Sequence, residues 1–170
     1  MKNSVVSIND FTVCLHCGFS EDIVRDQMSV INTLRDKYNI HSNNRIDRHP
    51  YTYPSFSKMM NENIVTSKTE WIITVNDRVR LVPEEITRLI NLLEEGYSCV
   101  FMWNAGFMGF SKELIRKIGW WDERFLEGGY EDRDWVMRLK ENNLSLYESV
   151  ESTYDFSFRS PLNGPPGVHK

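Results

Sequence analysis

The sequence predicts an α/β fold with a mainly parallel central sheet, and three features predict it. Apolar segments of strand length alternate with segments of helical spacing along the chain. The segment WIITVNDRV is continuously apolar and then turns polar at Asn76, Asp77 and Arg78, as a strand buried on both faces does where it leaves a parallel sheet. Pro83, Ser111 and Gly119 stand where a helix start, an N-cap and a C-terminal stop are needed.

FTVCLHCGF forms a first buried strand that ends at Gly18. Within it Cys14 and Cys17 make a C-x-x-C, but residues i and i+3 of a strand point to opposite faces, so two core cysteines are expected rather than a redox or metal pair. Glu21 to Tyr38 follows as a helix, with Ile23, Val24, Met28, Ile31, Leu34 and Tyr38 at helical spacing. Asn39 to Pro54 is polar and turn-rich, with room for one short strand at most. Ser55 to Ser67 is helical, Trp71 to Val79 is a strand, and Pro83 opens a helix whose stripe of Ile86, Leu89, Ile90 and Leu93 ends at Gly96. Ser98 to Trp103 is another short strand. An apolar segment with Gly106 and Gly109 then runs into a helix capped by Ser111, striped by Leu114, Ile115 and Ile118, and stopped by Gly119. A loop from Trp120 leads to a helix over Asp134 to Asn142, with Trp135, Val136 and Leu139 facing in, and Leu144 to Val150 is a late strand. The tail FRSPLNGPPGVHK reads as a loop that is either mobile or folded over a ligand.

The chain of 170 residues, 41% of them hydrophobic, makes one domain, residues 1–170, with a substantial core. A formal charge of −4 gives no general attraction to nucleic acid or to an anionic membrane. No apolar run approaches the ~20 residues of a membrane span, and MKNSVVSIND lacks the regions of a signal peptide. Three cysteines, an odd number, fit a reducing compartment. A soluble, cytoplasmic protein is expected.

Function-bearing residues concentrate in two places. In open α/β sheets ligands bind beyond the carboxyl ends of the strands. Asn76, Asp77 and Arg78 stand at such an end, where a carboxylate can meet a metal or a phosphate; an ordinary Asn-Asp turn is the alternative. Between Trp120 and Asp134 the chain mixes aromatic rings with carboxylates, a combination suited to sugars, which are polar with flat apolar faces. Of Trp120 and Trp121, one is expected in the core and one outside. Gly128 and Gly129 permit close backbone approach or simply make a turn, and Asp134 and Arg138 are spaced as an intrahelical pair. Acidic residues in a first helical turn also have a purely structural use, since they interact well with the helix dipole.

At these residues the chain resembles the GT-A nucleotide-sugar glycosyltransferases, particularly the inverting family-two type. SFSKMMNENIVTSKTEWIITVNDRVRLVP is similar to that family's Asn-rich helix and apolar strand ending in a D-x-D or N-x-D element, and Asn61 falls on its donor-side asparagine. IGWWDERFLEGGYEDRDWVMRLKENNLSL is similar to the later acidic segment, with Gly119, Asp122, Glu123, Phe125, Glu131, Asp132, Asp134, Arg138 and Leu139 in register. Asn63 stands where the family has glycine, and Arg78 where it has its last acid. Compactness and the lack of a membrane anchor also resemble glycosyltransferase domains of large algal viruses, which would place the protein in host cytoplasm and would allow it to be one part of a longer multidomain protein.

The resemblance implies a GT-A (Rossmann-like) α/β/α sandwich with a donor half, residues 1–103, and an acceptor half with the tail, residues 104–170. It implies transfer, with inversion, from a nucleoside-diphosphate sugar, a UDP-sugar first among them, to a hydroxyl of a carbohydrate or glycoprotein. Asn61, Asn76, Asp77, Arg78, Trp103 and Asn104 would contact the donor. Asp77 would hold Mn²⁺ or Mg²⁺ with His169 as a late ligand, or Arg78 would itself neutralise the diphosphate. Asp132 would be the general base, Glu131 would bind acceptor hydroxyls, and Trp120, Trp121, Asp122 and Gly129 would contact the acceptor. The alternative from another class is a non-catalytic glycan- or nucleotide-binding domain of the same fold. A nucleotidyltransferase fits less well, because CLHCGFSED has no Gly-rich phosphate loop.

Overall fold

The computed structural model describes residues 7–17, 21–46, 55–76, 79–102, 106–125 and 130–149. The chain order is β1 (Asp10–Cys17), α1 (Glu21–Asn32), β2 (Asn39–Ile46), α2 (Phe56–Thr66), β3 (Trp71–Asn76), α3 (Pro83–Glu94), β4 (Cys99–Met102), β5 (Phe107–Ser111), α4 (Lys112–Ile118), α5 (Glu131–Glu141) and β6 (Leu146–Ser149). The six strands form one sheet in the order β2-β1-β3-β5-β4-β6. β1 pairs in parallel with β2 and β3, and β4 in parallel with β6. β5 alone runs the other way, antiparallel to both β3 and β4. Its reversal follows from chain length: a parallel crossover needs a dozen or more residues, whereas only residues 103–106 join β4 to β5.

Alternating side chains divide the core in two. Phe11, Val13 and Leu15 of β1 meet α1 and α3 on one face, with Val24, Ile31, Leu89 and Leu93. On the other face Cys14, Ile72, Phe101, Met108 and Phe110 pack under α2, α4 and α5. The result is the expected α/β/α sandwich. Cys14 and Cys99 are buried thiols in no disulfide, and burial pushes the Cys99 thiol well above its ordinary range, as suits a core residue.

Three local expectations need correction. α1 ends at Asn32, not Tyr38, because the bonding tightens to i→i+3: Leu34 N donates to Ile31 O at 3.1 Å and Arg35 N to Asn32 O at 3.3 Å. Leu34 and Tyr38 remain buried all the same. β2 is eight residues long rather than a short piece, and its polarity hid it. As an edge strand paired only with β1 it needs no apolar run. α5 begins at Glu131, three residues before Asp134.

One glycine sets the spacing of the α3 layer. Gly109 of β5 lies opposite Ile73 and Val100, and a Cβ there would come 2.4 Å from Leu89 Cδ2 and 3.1 Å from Leu93 Cδ1. Gly109→Val therefore overpacks the Leu89 and Leu93 side chains of α3 and costs about 1–3 kcal/mol, read as a lower urea midpoint at unchanged slope. An unchanged midpoint contradicts this packing.

Candidate active site

The chain direction fixes which ends of the helices face the ligand edge. β1, β3 and β4 run parallel, so Asn76 closes β3 at the carboxyl edge of the sheet. β6 runs parallel to β4, so α5, which leads into it, must descend from that same edge. Glu131 and Asp132 in the first turn of α5 therefore stand on the same side of the sheet as Asn76. α2 descends likewise between the parallel strands β2 and β3, with its C-terminal end toward the opposite edge.

The exit of β3 is clamped from below. Asn76 N donates to Gly106 O at 2.7 Å, and Val79 N donates to Asn76 O at 3.0 Å. Gln27 of α1, only 2% exposed, donates Nε2 to Asn76 O at 2.9 Å and to Val79 O at 2.8 Å, the two carbonyls that bracket Asp77 and Arg78. Sequence reasoning passed over Gln27. Its signal was a polar residue on the buried stripe of Val24, Met28 and Ile31, where an amide is retained only if it has hydrogen-bond partners.

The second clamp binds the Trp120–Glu123 segment between α2 and α5. Asn61, buried on α2, donates Nδ2 to Trp121 O and to Glu123 Oε1, each at 2.9 Å, and its Oδ1 accepts from Trp121 N at 2.9 Å. Its amide is thus engaged by the backbone of the loop. Trp121, 2% exposed, stacks on Trp135 with centroids 4.2 Å apart and planes at 11°, while Trp120 is 52% exposed. One ring is in and one out, as expected. The Trp121 indole N–H finds no acceptor among the described residues and that of Trp135 has only the Cys99 thiol beside it, so shape more than hydrogen bonding holds the stack. Asp134 and Arg138 form the expected intrahelical pair at 2.6 Å, and Arg138 Nη1 reaches across to Ile118 O and Trp120 O, each at 2.9 Å. Gly119, with φ of 86°, turns the chain between them.

At the start of α5, Tyr130 takes the left-handed conformation with φ of 74°, a strain of about 1–2 kcal/mol in a non-glycine residue. Its ring is 68% exposed, and the Arg133 guanidinium lies 5.4 Å from its centroid. The neighbouring Gly-Gly pair concealed it in the sequence. Asp132 is partly exposed, and its Oδ1 accepts from Arg133 N at 2.8 Å. Glu131 Oε2 is buried with no partner among the described residues. Asp122 is held by Arg124, whose side chain and backbone N–H donate to it, and this lowers its pKa from 3.8 to about 2.

Asp77, Arg78, Trp103, Asn104, Gly129 and His169 lie outside the described residues. Among the described residues no group of three or more His, Cys, Asp or Glu side chains could hold a metal ion. The metal ligands expected from the sequence, Asp77 and His169, are both among those outside. No described helix is long and apolar enough to cross a membrane.

Gln27→Leu removes both side-chain hydrogen bonds from the β3 exit, leaving Asn76 O with the Val79 N–H and Val79 O without its side-chain donor. It is expected to cost about 1–3 kcal/mol in urea denaturation and to speed hydrogen exchange of the Val79 amide. Wild-type exchange at Val79 in that variant contradicts the clamp.

No protein-family model matches the chain, and no curated protein matches its sequence. Solved structures do match. Two are of the Drosophila β1,4-galactosyltransferase 7 catalytic domain, one complexed with xylobiose and one a mutant complexed with manganese, UDP-Gal and xylobiose. Their TM-scores are 0.56 and 0.55 at 10% and 9% identity, and each match covers 86% of this chain and 67% of the other. A third is a glycosyltransferase involved in glycosylation of the major capsid of PBCV-1, with a TM-score of 0.50 at 14% identity over 82% of this chain and 81% of the other. With its sheet order, its single reversed strand and these neighbours, the chain has the GT-A fold, the Rossmann-like α/β architecture of nucleotide-sugar glycosyltransferases.

Proposed function

We propose that the chain is a glycosyltransferase that moves a sugar from a nucleoside-diphosphate sugar, a UDP-sugar in the first instance, to a hydroxyl of a carbohydrate or glycoprotein acceptor. One observation carries the reading: the clamped exit of β3 and the acidic first turn of α5 share the carboxyl edge of a GT-A sheet. The neighbour complexed with manganese, UDP-Gal and xylobiose supports the donor, cation and acceptor classes.

The roles follow from the chemistry. The donor diphosphate lies over the end of β3, where Gln27 fixes the backbone that leads into Asp77 and Arg78. Asp77, with His169, would hold a divalent cation, Mn²⁺ or Mg²⁺, which would supply positive charge against the leaving diphosphate. Arg78 adds a fixed charge for the same purpose, and Asn76, Trp103 and Asn104 complete the donor side. The acceptor hydroxyl attacks the anomeric carbon as the bond to the phosphate oxygen breaks. Asp132 takes the hydroxyl proton, and the diphosphate leaves with the electron pair, so one displacement inverts the centre. Glu131, with a buried carboxylate oxygen and no described partner for it, receives an acceptor hydroxyl. Asp122 and Gly129 would contact the acceptor. Asn61 acts on the site indirectly, by holding Trp121 and Glu123 in place.

The test separates donor binding from transfer. UDP with Mn²⁺ at 100 times its Kd raises the stability of the wild type by about 2.7 kcal/mol, and Asp132→Asn keeps that shift. The same variant loses transfer to a glycan acceptor by about 10²–10⁴-fold. Wild-type transfer in Asp132→Asn rules out Asp132 as the base, and no stabilisation by any nucleoside diphosphate rules out the donor site.

A further inference from the structure

A groove of about 510 Å³ lies between α2 and the segment after α4, lined by Asn61, Glu62, Val65, Thr66, Trp120, Trp121 and Glu123. Its volume falls within the range of small-molecule sites. None of Asn76, Glu131 and Asp132 lines it, and Asn61 to Thr66 carry it down the last turns of α2, away from the carboxyl edge. Among the described residues it thus shares none with the exit of β3 or the first turn of α5.

Two large apolar side chains stay open to solvent there, Trp120 at 52% and Val65 at 68%. Trp120 is not a loose surface ring. Arg138 holds the carbonyls of Ile118 and Trp120, Asn61 holds both the N–H and the carbonyl of Trp121, and Gly119 makes the turn before them. Five hydrogen-bond and turn constraints on four consecutive residues leave the Trp120 backbone no freedom to turn the ring inward, and the inward position is filled by Trp121. Presenting a large flat ring on a fixed backbone lowers the ordering cost of binding whatever stacks on it.

We infer that this groove is a second, non-catalytic saccharide-binding subsite, in which a neutral sugar ring packs its apolar face on Trp120 and Val65. Glu62 and Glu123 on the rim are hydrogen-bond acceptors for ring hydroxyls, with Glu123 oriented by Asn61 Nδ2. Among the described residues no cationic side chain lines the groove, and its two carboxylates disfavour a phosphate or sulfate there. The choice of a saccharide over another ligand with a flat apolar face rests on the glycosyl-transfer reading. A subsite there would hold a distal part of a long acceptor, or an already glycosylated partner, while its reacting end lies at Asp132.

The experiment is an array of neutral oligosaccharides probed with the whole chain as wild type, Trp120→Ala, Trp120→Phe, Val65→Asp and Asp132→Asn, each first checked for a wild-type urea midpoint. The wild type is expected to bind a subset of the glycans. Trp120→Ala and Val65→Asp should weaken that binding by about tenfold or more, Trp120→Phe should keep most of it, and Asp132→Asn should leave it intact. Unaltered binding by Trp120→Ala overturns the subsite, as does an array on which the wild type binds nothing, or preferential binding of basic peptides at Trp120. Because the readout needs no turnover, the two readings fail separately. Transfer that persists with binding indifferent to Trp120 removes the subsite alone, and Trp120-dependent binding without transfer from any donor removes the enzyme alone.

Discussion

The stack of Trp121 on Trp135 is the contact on which the packing of α2, α5 and the segment before α5 depends. It joins a loop residue to α5 face to face at 4.2 Å, with Phe56 of α2 edge-on at 5.5 Å and Phe110 of β5 edge-on to Trp135 at 5.9 Å. Four elements thus meet in one aromatic cluster, two of whose members are the largest side chains in the core. Burial of such rings contributes more than any single hydrogen bond nearby. Asn61 and Arg138 then fix the direction in which the loop crosses the cluster. An amide and a guanidinium can do this because each satisfies several backbone groups at once, and hydrogen bonds from a charged donor contribute roughly 1.5–3 kcal/mol.

The two clamps follow one logic. A ligand site on an open α/β sheet is built from the least regular parts of the chain, the turns that leave the strands, and such turns are precise only if something rigid holds them. Gln27 does this for the exit of β3, from the interior of a helix. Asn61 and Arg138 do it for the segment before α5. In each case a polar side chain on a regular element supplies the hydrogen bonds. The reversed β5 places the two clamped regions on one sheet, because it separates β3 from β4 and extends the sheet toward β6 and α5.

Most of the fold was legible in the sequence, and the exceptions share a cause. Apolar periodicity located α2, β3, α3, β4 and α4, because in those elements burial and secondary structure demand the same residues. β2 escaped because an edge strand of Asn, His, Ser and Arg carries no apolar signal, and its eight residues are specified by pairing with β1. The end of α1 was missed because Leu34 and Tyr38 stay buried in a tighter turn, so the pattern of burial outlasts the helix. At the candidate site, the acidic turn at Glu131 and Asp132 and the divided fates of Trp120 and Trp121 could be read from residue types. The work of Asn61 could not, since only the folded chain shows that its amide turns to Trp121. Gln27 and Tyr130 are likewise tertiary facts, one a polar residue in a buried stripe and the other a strained residue beside glycines.

The proposed transfer requires the donor to lie at the carboxyl edge, between the exit of β3 and the first turn of α5. The direct measurement is an amide NMR spectrum of the protein with UDP, titrated with paramagnetic Mn²⁺ and compared with Mg²⁺. Broadening concentrated on Gln27, Asn76, Val79, Glu131 and Asp132, with the Thr66 and Trp120 amides sharp, is the result this arrangement predicts. Broadening centred elsewhere, or none at nucleotide concentrations that saturate the protein, would contradict it.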